Sequence, residues 1–162
     1  MTHPALSPGR AAVVTGAASG IGLAACKRFA SLGMKVCMAD LATDDLEPAY
    51  RQVVGLAPGG EDDVLCIPTD VGKPDDLAAL KKAVDEVFGA VGLLMNNAVT
   101  RVGGGVWGDM DEWRQAMEVN FWGVVSGVRA FVPAMMEQGT PCLVVNTGSK
   151  QGITNPPGKL VY

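Results

Sequence analysis

The chain has 162 residues, 48% of them hydrophobic and 19% charged, with a net charge of −4. That is enough for one domain with a real core, too little for two, and offers no basic surplus to gather nucleic acid or anionic lipid. Cys26, Cys37, Cys66 and Cys142 lie far apart in apolar stretches with no CxxC pair, and the single histidine is His3; buried free thiols in a reducing compartment are expected, with no metal site and no histidine-based triad.

Residues 1–10 read as a flexible tail without a leader-type apolar run, and no segment stands out as membrane-spanning, so a cytoplasmic location is expected. AAVVT at 11–15 predicts the first strand. A helix follows in which Ile21, Ala25, Phe29 and Leu32 recur at helical spacing until Gly33. KVCMAD at 35–40 predicts a second strand, LATDDLEPAYRQVVG a less regular helix, and APGGEDD at 57–63 a loop. VLCIPTD at 64–70 predicts a third strand. The next helix opens with Pro74, carries Leu77, Leu80, Val84 and Phe88 on one side, and ends at Gly89.

VGLLMNNA at 91–98 is an apolar run closing in polar residues, the pattern of a strand buried on both faces. From Asp109 to about Gln138 runs a long helical pattern. Asp109 and Glu112 are placed like a capping box, Trp113, Met117, Val124, Val128, Phe131 and Met135 mark the buried side, and Pro133 is expected to end or kink it. PCLVVNTGS at 141–149 predicts a fifth strand. Strands separated by helices of this length imply an α/β fold, with right-handed crossovers and a parallel sheet.

TGAASGIG places Gly16, Gly20 and Gly22 between the first strand and the first helix. A tight turn at Gly16, close backbone approach at Gly20 and close helix packing at Gly22 would cradle a pyrophosphate at a helix N-terminus. The context strengthens the motif, because a strand precedes it, a helix follows it, and Asp40 closes the second strand. Asp40 can accept from the two hydroxyls of an adenosine ribose, whereas a 2′-phosphate there meets like charge, so NAD is expected over NADP. FAD would use similar phosphate logic, and a plain turn with a solvated acid is the bland alternative.

With TGAASGIG, Asp70-Val71, NNAV at 96–99, Asn120 in MEVNFWG, VNTGS at 145–149 and Tyr162 in order, the sequence resembles the short-chain dehydrogenase/reductase family over essentially its whole length. The resemblance implies a Rossmann-like doubly wound sheet of order 3-2-1-4-5, incomplete on its C-terminal side, occupying residues 11–162. It also implies a nicotinamide cofactor and interconversion of a small-molecule alcohol and a carbonyl. Carried over position by position, the cofactor-binding residues are Gly16, Ser19, Gly20, Ile21, Gly22, Asp40, Leu41, Asp70, Val71, Asn97, Ala98 and Val99. Asp70 and Val71 resemble the adenine-contacting pair, and Asn97 and Ala98 the ribose contacts of the fourth strand. Asn120 resembles the water-holding asparagine, Ser149 the substrate-orienting hydroxyl and Tyr162 the acid/base.

A phenol donates to a carbonyl oxygen and a phenolate takes a proton from an alcohol, but tyrosine's ordinary pKa near 10 suits that work poorly. In the family a lysine four residues beyond the tyrosine helps; Lys150 and Lys159 do not match that position. Val99 stands where the family usually has glycine, and Gly148 where serine is frequent. The 162 residues alone are expected to bind NAD weakly and to associate through the open edge of the fifth strand. The family also implies a homo-oligomer, dimer or tetramer, with the long helix as a contact surface. A non-catalytic nucleotide-binding or regulatory Rossmann-like protein is the alternative function.

Overall fold

A computed structural model describes residues 3–103, 107–150 and 153–154. Five parallel strands, β1 (Ala11–Thr15), β2 (Lys35–Asp40), β3 (Val64–Pro68), β4 (Val91–Asn96) and β5 (Leu143–Asn146), form one sheet of order β3-β2-β1-β4-β5. The crossovers are α1 (Gly20–Ser31), α2 (Leu46–Val54), α3 (Pro74–Val87) and a long helix after β4. This is the Rossmann-like α/β arrangement and strand order expected from the sequence.

Every residue of β1 and β4 is buried, as are the four central residues of β2, because helices cover both faces. Alternation along the strands divides the core in two. Ala12, Val14, Val36, Met38, Leu93 and Met95 meet α1 and α2 on one side; Val13, Cys37, Ala39 and Leu94 meet α3 and the long helix on the other. Cys26 and Cys37 are buried free thiols, and Cys66 and Cys142 are half-buried and also free. Burial pushes the Cys26 thiol up to about 12 and raises those of Cys37 and Cys66 as well.

The buried stripe of α1 differs from the expected one. Gly22, Cys26 and Ala30 face the sheet, Ala25, Phe29 and Leu32 pack along the flank, and Ile21 is 63% exposed. Small residues win the inner face because they let the helix axis approach the strands, while the bulkier ones seal the sides. α3 follows its pattern more closely: Pro74 opens it, Asp75 and Asp76 lie in its first turn, and Leu77, Leu80 and Val84 are buried. Gly89, at φ +69°, stops it with its amide on the Val84 carbonyl.

The long helix runs from Met110 to Glu137 as α4 (Met110–Met117), a π-helical turn (Glu118–Trp122) and α5 (Gly123–Glu137). A π turn takes an extra residue, so one α-helical period does not carry through it. The buried positions are Ala116, Gly123, Gly127, Phe131 and Met135; Met117, expected inside, is 47% exposed. Pro133 does not end the helix, which continues to Glu137 with Phe131 and Met135 buried on either side of it. Asp109 caps α4 by accepting from the Asp111 amide, but Glu112 completes no capping box and instead accepts from the amide of Gly103.

By length and composition this helix could cross a membrane, contrary to expectation. Its packing is that of a sheet-covering helix: Gly123 lies against Val71 and Gly127 against the Asn96 side chain, each too close to admit a Cβ. Trp107, Phe121 and Trp122 are exposed, at 93%, 49% and 50%. Among the described residues β5 is an edge strand paired only with β4, and its side chains alternate between partial burial and exposure. Ahead of β1, Ala5 is wholly buried, Gly9 donates to the Gly33 carbonyl, and Arg10 reaches Thr140 and the Pro141 carbonyl before β5.

Candidate active site

The carboxyl ends of the strands carry most of the polar residues singled out in the sequence, as expected for a parallel sheet whose loops at that end receive ligands. The turn after β1 is held from three sides. Gly16 takes φ +66°, and a Cβ there would stand 2.8 Å from Ala98 Cα; at Gly22 a Cβ would stand 2.0 Å from the Gly16 carbonyl oxygen. Both positions therefore require glycine on contact grounds. The Ala17 amide donates to the Ala39 carbonyl and the Ala18 amide to Asp40 Oδ2 at 2.7 Å, fastening the turn to the end of β2.

On the other side, Asn97 Nδ2 donates to the carbonyls of Thr15 and Gly16 at 3.1 and 3.2 Å. Thr15 Oγ1 accepts from the amides of both Asn97 and Ala98. Thr15 was not singled out in the sequence, where a threonine closing a β-strand carries no distinctive signal, yet it joins the turn to the end of β4. The side-chain amide of Asn97 is thus occupied within the protein.

The N-terminus of α1 is open. Ser19, its N-cap, forms no side-chain capping bond, no acidic residue occupies the first turn, and Ser19, Gly20 and Ile21 are exposed. Gly20, at φ +51°, has no atom within 4 Å of where a Cβ would stand. Unpaired amides fronted by clear space fit an anionic group, and the pyrophosphate of a dinucleotide is of that kind.

Asp40 lies beside this opening, half-buried, with Oδ1 accepting from the Leu41 amide at 2.8 Å. Its two oxygens each accept one internal bond, and a carboxylate retains capacity for more. Leu41 is 51% exposed. Asp70, after β3, accepts from the Gly72 amide at 3.0 Å and pairs with Lys73 at 3.4 Å, while Val71 is buried against Gly123. Ala98 is half-buried and Val99 is 49% exposed.

Asn120 sits in the π turn, with Oδ1 accepting from the Thr100 amide at 2.8 Å and Nδ2 donating to the Thr100 carbonyl at 3.0 Å. It satisfies both backbone polar groups of Thr100, and so spans two successive peptides of the segment leaving β4, and Glu112 holds the same segment at Gly103. A π turn within a longer helix often accompanies a functional position. At the top of β5, Asn146 Oδ1 accepts from Asn96 Nδ2 at 2.8 Å, and Thr147 Oγ1 donates to Asn97 Oδ1 at 3.2 Å. Ser149 follows, half-buried. Tyr162 lies outside the described residues, as does Lys159. Among the described residues, no group of three or more His, Cys, Asp or Glu side chains could hold a metal ion.

The open amides at the start of α1 and the Asp40 carboxylate suit a dinucleotide, while Ser149 lies beyond the end of β5. The profile of a family described as short chain dehydrogenase matches residues 10–162. A 1-deoxy-11-beta-hydroxypentalenate dehydrogenase of Streptomyces exfoliatus is 37% identical over 156 residues, covering 94% of this chain and 55% of the relative.

Among solved structures, a short-chain dehydrogenase/reductase of Burkholderia phymatum in complex with NAD superposes with a TM-score of 0.88 at 38% identity, covering 96% of this chain and 54% of that one. A metagenomic short-chain oxidoreductase in complex with NADP gives 0.80 at 30% identity, covering 89% and 64%. The chain spans about half the length of the curated relatives it matches.

Proposed function

This chain belongs to the short-chain dehydrogenase family, and from that premise we propose that the whole protein is an NAD-linked oxidoreductase interconverting a secondary alcohol and a carbonyl. The observation that carries the reading is the uncapped N-terminus of α1, fronted by the clear space at Gly20 and flanked by Asp40. Bound there, a nicotinamide dinucleotide supplies the hydride donor or acceptor. The turn from Gly16 to Gly22, with Ser19 and Ile21, holds its pyrophosphate. Asp40 and Leu41 receive the adenosine ribose, and Asp70, Val71, Asn97, Ala98 and Val99 bound the adenosine side.

At the substrate, the Ser149 hydroxyl donates to the reacting oxygen and the Tyr162 phenol exchanges a proton with it. Asn120 fixes the backbone at Thr100 and so the course of the segment between β4 and α4. Asp40 favours NAD over NADP, since a 2′-phosphate beside its carboxylate would meet like charge; the known structures of similar proteins include one complex with each. We place the protein in the cytoplasm as a homo-oligomer. The free thiols support the location, and the exposed Met110, Met117, Phe121 and Trp122 of the long helix support self-association.

The test is calorimetric titration of the whole protein with NAD and NADP, followed by a panel of secondary alcohols with nicotinamide absorbance as the readout. The expected result is tighter binding of NAD and its reduction by at least one alcohol. Failure to bind either dinucleotide would sink the reading.

A further inference from the structure

β4 and β5 are joined at the last rung of the sheet and one residue beyond it by two side-chain bridges. Asn96 and Asn146 are register partners, and their amides meet at 2.8 Å. One residue on, the Thr147 amide donates to the Asn96 carbonyl at 3.0 Å while the Thr147 hydroxyl donates to Asn97 Oδ1 at 3.2 Å. The Asn96 side chain abuts Gly127 of α5 and the Asn97 amide abuts Gly22 of α1, so the two bridges lie on opposite sides of the sheet. The first is a closed pair. The second leads on, because the other end of the Asn97 amide donates to the carbonyls of Thr15 and Gly16.

An amide plane held at both ends cannot rotate freely. Its oxygen is fixed by Thr147, in the segment that leaves β5 toward Ser149, and its nitrogen by the turn whose Gly16 carbonyl also abuts Gly22. Hydrogen bonds in such a chain support one another. A ligand that orders the turn therefore orders the Asn97 amide, and through it the end of β5. We propose that Thr147 is a positioning residue: its hydroxyl couples occupancy of the Gly16–Gly22 turn by a dinucleotide to the order of the β5 end that carries Ser149. This rests on the dinucleotide reading above and adds to it a residue outside the nucleotide motifs. Coupling of this kind is reciprocal for binding.

The test is hydrogen exchange of the whole protein with and without ADP-ribose, which fills a dinucleotide's adenosine and pyrophosphate positions but has no nicotinamide ring to cover Ser149. Wild type is compared with Thr147→Val, which removes the hydroxyl, and Thr147→Ser, which keeps it. The peptide over residues 12–22 is expected to exchange more slowly with ligand in all three. The peptide over residues 143–150 should slow by roughly two- to tenfold in wild type and in Thr147→Ser, the worth of one hydrogen bond, and not in Thr147→Val. An unchanged 143–150 peptide in wild type, equal slowing in Thr147→Val, or loss of slowing in Thr147→Ser overturns the coupling while the dinucleotide reading stands. Absence of slowing at residues 12–22 in wild type removes both. If Thr147→Val melts much lower than wild type, Thr147→Ala is read by the same criteria.

Discussion

Asp40 Oδ2 accepts the amide proton of Ala18 at 2.7 Å, so the acid that closes β2 also braces the turn after β1. Asp40→Asn keeps an oxygen for that bond and removes the charge. NAD affinity is expected to fall about tenfold, the worth of a charge-assisted hydrogen bond, with no comparable loss for NADP. Dissociation constants for the two cofactors check this; an unchanged NAD-to-NADP ratio removes Asp40 from cofactor choice.

Gly20 and Gly22 separate binding from folding. In Gly22→Ala the new methyl meets the Gly16 carbonyl at 2.0 Å, and backbone lies on both sides of the contact. Destabilisation of about 3 kcal/mol or more is expected, seen as a clear drop in Tm. Gly20→Ala places its methyl in open space at φ +51°, costing about 1–2 kcal/mol in backbone strain. Its larger effect should be on dinucleotide titration, because the methyl stands where the pyrophosphate approaches.

Asn120→Ala deprives both the Thr100 amide and the Thr100 carbonyl of their side-chain partner. A loss of about 1–3 kcal/mol is expected, together with faster hydrogen exchange over residues 97–103. Asn120→Asp keeps the acceptor for the Thr100 amide and loses the donor, so it should fall between wild type and the alanine variant. Equal exchange in all three proteins would mean the clamp contributes nothing to the order of that segment.

The buried thiols set the alkaline limit of stability. Desolvation raises the Cys26 pKa from 9.0 to about 12 and raises that of Cys37 too. An acid raised on folding stays protonated in the folded chain while the unfolded chain ionises, so its contribution is intact below pH 9 and is lost as pH climbs toward 12. Stability should fall by up to about 1.4 kcal/mol per pH unit for each thiol across that window. Denaturant midpoints at pH 8 and pH 10 check this, and a doubly substituted Cys26→Ala, Cys37→Ala protein should show a shallower slope.

The strands and the glycine turn were legible because their signals are local. A run such as AAVVT between a polar tail and TGAASGIG leaves little choice but strand, turn and helix, and apolar runs bounded by glycine, proline or acids mark the other four strands. Helix faces were less legible. Ile21 and Met117 are spaced like core residues, yet Gly22, Cys26 and Ala116 take the buried places, since hydrophobic spacing cannot anticipate how closely a helix axis approaches its sheet or where a π turn resets the period.

The sequence by itself determined the alternation of strands and helices, the nucleotide-type turn and the identity of the acid at the end of β2, because each follows from residue type and spacing along the chain; the strand order it carried only through its resemblance to a family. Only the tertiary structure decided what those side chains hold. Asp40 braces Ala18, Asn97 spans from Gly16 to Thr147, Asn120 grips Thr100, and Thr15 receives two amides from the end of β4. The physical reason is that a hydrogen bond between residues 20 to 83 positions apart leaves no periodic trace in a sequence. It exists only once parallel strands have brought their carboxyl ends to the same edge of the sheet.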